Sequence, residues 1–234
     1  MPDPLSVQTI IAGIDEAGRG ALAGPVVAGA CVLPFSLFRR KSASPQWSPN
    51  KNACPDDCLI ADSKKLSSEQ RERAYQWITA SCHYGIGIAS HAMIEKEGIL
   101  AATEHAMQRA LLLLQRTCAP TFLLIDGRDH FWFDLPHSSV IRGDAIEPCI
   151  AAASILAKVT RDRLMCMHDR LTSLYGFAEH KGYGTAAHIH AIRTRGPSSI
   201  HRMSFLSRIL PSQEAVVRGT KNHTHKPKRK SGIV

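Results

Sequence analysis

Asp15-Glu16, Asp126 and Asp144 are the residues whose types and placement promise chemistry, because each follows a short run of strand-forming residues. Residues 7–15 (Val-Gln-Thr-Ile-Ile-Ala-Gly-Ile-Asp) predict a buried strand ending at Asp15, and Thr-Phe-Leu-Leu-Ile-Asp predicts another ending at Asp126. Val140-Ile141 predicts a short strand running into Arg142-Gly143-Asp144. Sheets are rigid and their loops exposed, so functional groups collect where strands end. Three or four carboxylates gathered there would repel one another unless cations neutralise them. Hard oxygen ligands of this kind select Mg²⁺ or Mn²⁺ rather than zinc, and leave positions for substrate phosphates. A pair of such ions is a standard device for in-line phosphodiester cleavage. The competing reading gives each acid a plain capping or turn role, which Asp often fills. Strand geometry adds a condition. Adjacent residues point to opposite faces, so Asp15 and Glu16 share one site only if the chain bends there, as Gly18 and Gly20 would allow.

Other motifs carry less specific signals. Gly18-Arg-Gly20-Ala-Leu-Ala23 formally matches a dinucleotide fingerprint. Two acids immediately before the loop would repel a pyrophosphate, and the next segment reads as a strand, not a helix. A small-residue loop around Arg19 instead lets a nucleic-acid backbone approach closely. Lys64 and Lys65 are candidates for phosphate contact, or solvated loop charges. Tyr183, flanked by glycines, reads as exposed rather than as a core aromatic. Lys158 and Asp162 stand at i,i+4 on a helix, a structural ion pair or a support for the site. Cys54-Pro-Asp-Asp-Cys58 lacks a second ligand pair for zinc and reads as an exposed loop. His188-x-His190 diverges on a helix and reads as ordinary surface; His223 and His225 read as solvated.

The elements that must position these groups follow from periodicity. Residues 25–33 predict a strand antiparallel to the first, and residues 83–90 a third. Residues 35–61, rich in Pro, Ser, Asn and charge, predict an exposed insertion. Ser67 begins a helix with Gln70 placed for a capping box. Helices are expected over 92–97 and 99–116, then from Pro148 at a first turn to Leu174, and over 185–193. Strands first, then strands alternating with helices, predict an α/β fold with a mixed sheet and helices on its faces.

Composition sets outer limits. The 234 residues carry a net charge of +9, but Arg218, Lys221, Lys226, Lys228, Arg229 and Lys230 supply +6 of it, leaving +3 for residues 1–217. The expected organisation is one domain, 1–217, and a basic tail, 218–234, able to hold phosphates non-specifically. No secretory signal and no spanning segment are visible. Seven scattered cysteines suit reduced thiols. The expectation is a cytoplasmic monomer with no membrane partner.

Beyond these physical readings, the residues resemble the type 2 ribonucleases H (ribonuclease HII). The blocks that carry the resemblance are Gly13-Ile-Asp-Glu-Ala-Gly-Arg-Gly20 with Leu22-Ala-Gly-Pro-Val26, Asp62-Ser-Lys-Lys-Leu66, Leu124-Ile-Asp-Gly127, and Gly143-Asp144 with Ile150 through Asp162. His180-Lys-Gly-Tyr-Gly-Thr185 and His201-Arg-Met-Ser-Phe205 complete it, in order over about residues 10–206. The resemblance implies a ribonuclease H-like fold: a five-stranded mixed sheet flanked by helices, with a C-terminal helical extension. It implies a Mg²⁺- or Mn²⁺-dependent endonuclease whose partners are RNA–DNA hybrids and DNA with embedded ribonucleotides, leaving 5′-phosphate and 3′-hydroxyl ends. Asp15, Glu16, Asp126 and Asp144 match the family's metal carboxylates. Gly18, Arg19 and Gly20 match the loop that senses the ribose 2′-hydroxyl, the group that distinguishes RNA from DNA. Tyr183 matches the tyrosine that stacks on the sugar beyond the RNA–DNA junction. Arg142 replaces a common lysine and Gly98 a common asparagine, and the 35–61 insertion is longer than the family leads one to expect. An acid pair as early as residue 15 implies a chain without the extra N-terminal domain of the type 3 enzymes. A non-catalytic hybrid binder would have little use for the acids, and a junction resolvase would lack the Gly-Arg-Gly and tyrosine features.

Overall fold

The structure, a computed structural model, describes residues 9–34, 38–40, 47–49 and 60–210. Its centre is a five-stranded mixed sheet in the order β5-β2-β1-β6-β7. Here β1 is Ile11–Ala17, β2 Val26–Val32, β5 His83–Ala89, β6 Phe122–Asp126 and β7 His137–Val140. The first hairpin is antiparallel, as is the β2–β5 pair; β6 lies parallel to β1, and β7 parallel to β6. A separate two-stranded ladder joins β3 (Phe38–Arg40) to β4 (Trp47–Pro49). The rest of the expected 35–61 insertion, its Cys54 and Cys58, and the 218–234 tail with His223 and His225 lie outside the described residues, save Ile60 and Ala61 at its end.

Alternation along the strands builds two cores. Every residue of β2 is buried, because both of its faces are covered. Val26, Ala28 and Ala30 join Ala12, Ile14 and β6 residues under α3 (Ile99–Leu114), through its Ala106, Met107 and Ala110. On the other face Cys31 meets α5 (Pro148–Leu171) and α1 (Ser68–Ser81), through Ala153, Leu156, Ala74 and Ile78. Helix α1 starts as its sequence requires: Ser67 Oγ accepts from the Gln70 N–H, and the Gln70 side chain accepts from the Ser67 N–H. Pro148 stands in the first turn of α5, where its missing N–H costs nothing.

The approach of α5 to the sheet is unusually close. A Cβ on Gly13 would lie 2.2 Å from the Cys149 carbonyl carbon, and one on Gly29 2.3 Å from the Ala153 carbonyl oxygen. Only glycine at these two strand positions permits this contact. It brings α5 against the end of β1, where the first acids stand.

Several boundaries differ from expectation, and those of β1 and β7 bear on the site. Strand β1 does not end at Asp15 but pairs with β2 through Glu16↔Ala28 and Ala17↔Val27. Strand β7 comes earlier than Val140-Ile141, since His137–Val140 pair with 123–126. Asp144 therefore sits not at a strand end but in a short helix, α4 (Gly143–Ile146), entered through a left-handed Arg142. Helix α5 stops at Leu171 rather than Leu174. The described residues close with α6 (Phe177–His180), α7 (Ala186–Arg195) and a 3₁₀ turn at Met203–Phe205, preceded early on by α2 (His91–Glu97).

Candidate active site

Two adjacent parallel strands and one short helix bring three carboxylates together. One oxygen from each of Asp15, Asp126 and Asp144 lies within 4.8 Å of the other two. Asp15 and Asp144 are buried, and Asp126 is partly so. Backbone donors fix the set. Asp126 Oδ1 accepts the Gly143 N–H at 2.7 Å and the Asp144 N–H at 3.4 Å, tying the end of β6 to the start of α4. Asp15 Oδ1 accepts the N–H of Glu16 at 2.7 Å.

Electrostatics confirm that the cluster is crowded. Burial first, then the Glu16 and Asp126 charges, push the Asp15 carboxyl well above the usual carboxylate range, although Ser154 donates to it. Asp144 is raised by burial and then by Asp126 and Asp62. The only positive side chain paired with a member of the trio among the described residues is exposed Lys64, whose Nζ lies 3.7 Å from Asp144. A single exposed ammonium offsets little of such repulsion. A hard divalent cation would offset it, and the all-oxygen donor set is of the kind Mg²⁺ and Mn²⁺ accept. The residues fit such an ion.

Glu16 stands apart from the trio. Asp15 shares its face of β1 with Gly13, toward α5, whereas Glu16 shares the face of Ala12 and Ile14. The ladder stays in register through both acids, so their side chains leave the strand on alternate faces. The Glu16 carboxylate instead pairs with Arg19 at 3.2 Å, and Arg19 reaches Asp129 at 2.8 Å. Burial raises Glu16 more than Arg19 lowers it, and the Asp126 charge adds to the rise. It therefore stands within electrostatic reach of the trio, and its charge acts on Asp15 ahead of that of Asp126.

The Gly18-Arg19-Gly20 loop is braced from below by two fully buried arginines. Arg161 on α5 donates to the carbonyls of Ala23, Pro25 and Lys181 at 2.9–3.1 Å. Arg202 donates to the carbonyls of Gly24 and Arg19 at 2.9–3.0 Å. Burial, and then the neighbouring Arg161, pushes Arg202 down to about 9, and burial lowers Arg161 as well. Buried charges are tolerated only when they are well partnered; here backbone carbonyls do it. Gly18 has φ +99°, and a Cβ there would lie 2.0 Å from Arg161 Nε, whereas one on Gly20 meets nothing within 4 Å.

Tyr183 lies against the same arginine. Its ring centroid is 5.1 Å from the Arg161 guanidinium carbon and 5.6 Å from Lys158 Nζ, and the ring is partly exposed. Lys158 also pairs with Asp162 at 2.8 Å, the i,i+4 contact anticipated from their spacing. Lys65 pairs with Asp62 at 3.9 Å. Asp62, Lys65, Asp144, Glu147 and Pro148 line an open cleft of about 530 Å³ beside the carboxylates.

Sequence reasoning missed several of these groups. His188 is buried rather than on the surface, while His190 is exposed. It faces inward because α7 packs on Phe177, 5.5 Å away ring to ring. Ser63, in the Asp62–Leu66 block, bonds Ser154 at 2.8 Å and so reaches Asp15 indirectly. Arg161 carried a readable signal: Ala157, Arg161 and Met165 form one i,i+4 stripe, and the stripe is buried. Arg202 stands in the His201–Phe205 block, but nothing local names its partners, and Asp129 carried no signal at all, since both reach residues far away in the chain.

Comparisons with known proteins agree with this architecture. A family model described as ribonuclease HII matches residues 50–208. A ribonuclease HII of Geobacter sulfurreducens is 45% identical over 196 residues, covering 83% of this chain and 81% of that one. Another, of Chloroflexus aurantiacus, is 47% identical over 199 residues, covering 83% and 85%. Among solved structures, the chain resembles the RNase HII from Archaeoglobus fulgidus in its complex with PCNA (TM-score 0.64, 22% identity, 88% and 99% covered). It also resembles the ribonuclease H2 from Pyrococcus horikoshii (TM-score 0.61, 22% identity, 91% and 99% covered). At those identities the structural likeness speaks to the fold.

Proposed function

The chain belongs to the ribonuclease HII family, and on that premise we propose that it cuts 5′ of ribonucleotides embedded in duplex DNA as well as along the RNA strand of hybrids. As a member of that family it is an endoribonuclease, a hydrolase acting on RNA in RNA–DNA hybrids. The observation that carries the metal-dependent part of this reading is the convergence of Asp15, Asp126 and Asp144 within 4.8 Å.

The proposed site comprises Asp15, Asp126 and Asp144, with Glu16 as a fourth carboxylate at its margin, holding Mg²⁺ or Mn²⁺. Such ions, when two are bound, supply charge neutralisation at the scissile phosphate, a more acidic attacking water and stabilisation of the departing oxygen. The protein's part is placement. Asp126 fixes α4 through Gly143, so that Asp144 meets it with little conformational loss. Water attacks phosphorus, the bond to the 3′ oxygen of the preceding nucleotide breaks, and that oxygen takes up a proton. The phosphate stays on the ribonucleotide, which gives 5′-phosphate and 3′-hydroxyl ends. Lys64 and Lys65, exposed beside the cleft, supply phosphate contacts. In the Gly18-Arg19-Gly20 loop, the open space at Gly20 suits close approach of a ribose, whose 2′-hydroxyl its backbone reads. Tyr183 offers a ring face to the adjoining sugar. The catalytic domain is residues 1–217, acting as a monomer, and the basic 218–234 tail adds non-specific affinity for phosphate.

Incubation with a labelled duplex carrying one ribonucleotide, beside an all-DNA duplex and a full hybrid, tests this. The expected result is a single metal-dependent nick 5′ of the ribonucleotide, leaving a 3′-hydroxyl that a DNA polymerase extends and a 5′-phosphate that a phosphatase removes. Cutting of the hybrid alone would leave the family assignment standing and remove the single-ribonucleotide reading.

A further inference from the structure

We infer that His180, His188 and His201 are positioning residues: a buried, neutral histidine relay that fixes the backbone of the Tyr183 loop. All three rings are buried. His180 and His188 stack with centroids 4.2 Å apart, and His188 and His201 meet at 5.1 Å. Phe177 packs against all three. No carboxylate is bonded to any of them in the described residues, and a neutral imidazole offers one nitrogen that donates and one that accepts.

The partners dictate which nitrogen does which. His188 Nδ1 faces the Tyr183 carbonyl at 2.9 Å. A carbonyl only accepts, so Nδ1 carries the proton and Nε2 is left as an acceptor. His201 Nε2, 3.0 Å from His188 Nε2, must therefore donate to it. That leaves His201 Nδ1 as an acceptor, and both the N–H and the hydroxyl of Ser198 converge on it at 2.8 and 2.7 Å. His180 follows the same logic: Nε2 donates to the Tyr175 carbonyl at 2.7 Å, and Nδ1 accepts the Gly182 N–H at 3.2 Å. One proton arrangement satisfies the whole relay.

What the relay holds is a short stretch of backbone. From the Lys181 carbonyl to the Tyr183 carbonyl every polar group has a partner. Arg161 takes the Lys181 carbonyl, His180 the Gly182 N–H, and the Leu22 N–H the Gly182 carbonyl. The His180 carbonyl takes the Tyr183 N–H, and His188 with the Thr185 N–H takes the Tyr183 carbonyl. The Tyr183 ring is thereby carried on a fixed backbone beside the Gly18–Gly20 loop, which shares Arg161 with it. Positioning matters because displacement of a contact by about 1 Å can cost on the order of a hundredfold in rate. This inference rests on the proposed reading of Tyr183 as a sugar contact.

A double-mutant cycle tests it. Cleavage of a single-ribonucleotide duplex is measured as kcat/KM for the wild type, His188→Leu, Tyr183→Ala and the pair. If His188 acts through Tyr183, His188→Leu costs on the order of ten- to a hundredfold alone and less than about threefold in the Tyr183→Ala background. His188→Asn, which keeps a donor near the Nδ1 position, recovers most of the loss. Independent losses that multiply in the double variant would overturn the proposal, since a merely structural histidine has no reason to spare the Tyr183→Ala enzyme. Nitrogen NMR of the wild-type imidazoles gives a second readout that survives any folding defect. The expected species are Nδ1–H for His188 and Nε2–H for His180 and His201; a doubly protonated ring at pH 7, or the opposite tautomers, would overturn it. Should the wild type fail to cut the duplex, the proposed function fails, while the tautomers still decide the relay.

Discussion

Asp126 accepts the backbone N–H of Gly143 at 2.7 Å, and this one bond places Asp144 beside Asp126. A carboxylate that belongs to the reactive cluster is thus also the clamp on the helix that delivers its neighbour. The two duties are separable by substitution. Asp126→Asn keeps an oxygen for Gly143 and loses the charge, whereas Asp126→Ala loses both.

Both variants should therefore lose metal-dependent cutting, but only Asp126→Ala should loosen α4. An orphaned, partly buried donor costs about 1 kcal/mol or more, or roughly 2–4 °C in Tm for a chain of this size. Thermal melts of the two in EDTA check it. Equal Tm values would show that the Gly143 bond contributes nothing to stability.

The carboxylate cluster should destabilise the metal-free protein as pH rises. Burial and mutual repulsion raise Asp15 and Asp144 above their ordinary values in the fold. For an acid whose folded pKa is raised, the favourable contribution is complete below its unfolded value, about 3.9, and is lost as pH climbs through the folded one. In EDTA, Asp15→Asn should consequently melt higher than the wild type at pH 7, with the gap narrowing toward pH 4. Adding Mg²⁺ or Mn²⁺ at pH 7 should close the gap by stabilising only the wild type. A gap that is constant with pH would show that Asp15 is not strained.

The histidine relay should give the opposite slope. Burial first, with small contributions from neighbouring rings, lowers both His188 and His201 to about 4, against about 6.5 unfolded. For a histidine held neutral, stability is complete above the unfolded value and is lost as pH falls from about 6.5 toward 4, because the unfolded chain then binds more protons. Comparing the Tm of the wild type with His201→Gln across that window isolates the effect from the carboxylates. The advantage of the wild type should shrink as the solution is acidified.

Gly18 and Gly20 should behave differently despite their symmetry in sequence. Gly18→Ala puts a Cβ at φ +99° and into the Arg161 side chain, so both Tm and activity should fall, by about 1 kcal/mol or more in stability. Gly20→Ala meets open space and should leave Tm unchanged. A loss of cleavage in Gly20→Ala at constant Tm would report a crowded approach of substrate; full activity would show that the loop does not come close to it.

The sheet and most helices were legible because periodicity and caps are local: the Ser67–Gln70 box and Pro148 announced their helices directly. The three aspartates were legible as acids following apolar runs. The position of Asp144 on α4 was not, because a left-handed Arg142 and a bond to Asp126 create that helix from outside its own sequence. Nor was the course of Glu16. Two glycines made a bend plausible, yet pairing with β2 holds β1 extended through Ala17. His188 was misread for a related reason: helical spacing separates it from His190 but does not say which of the two faces Phe177. Long-range partners such as Arg202 with Gly24, 178 residues apart, leave no trace in a local pattern.

The most direct measurement is cleavage of a duplex with one embedded ribonucleotide by the wild type and by Asp126→Asn, at increasing Mg²⁺ or Mn²⁺ and then with excess EDTA. The expected result is a nick 5′ of the ribonucleotide that appears with metal, disappears with EDTA and is absent from Asp126→Asn, which still binds the duplex. Cutting that persists in EDTA, or at a normal rate in Asp126→Asn, would contradict a metal-dependent site built on Asp15, Asp126 and Asp144.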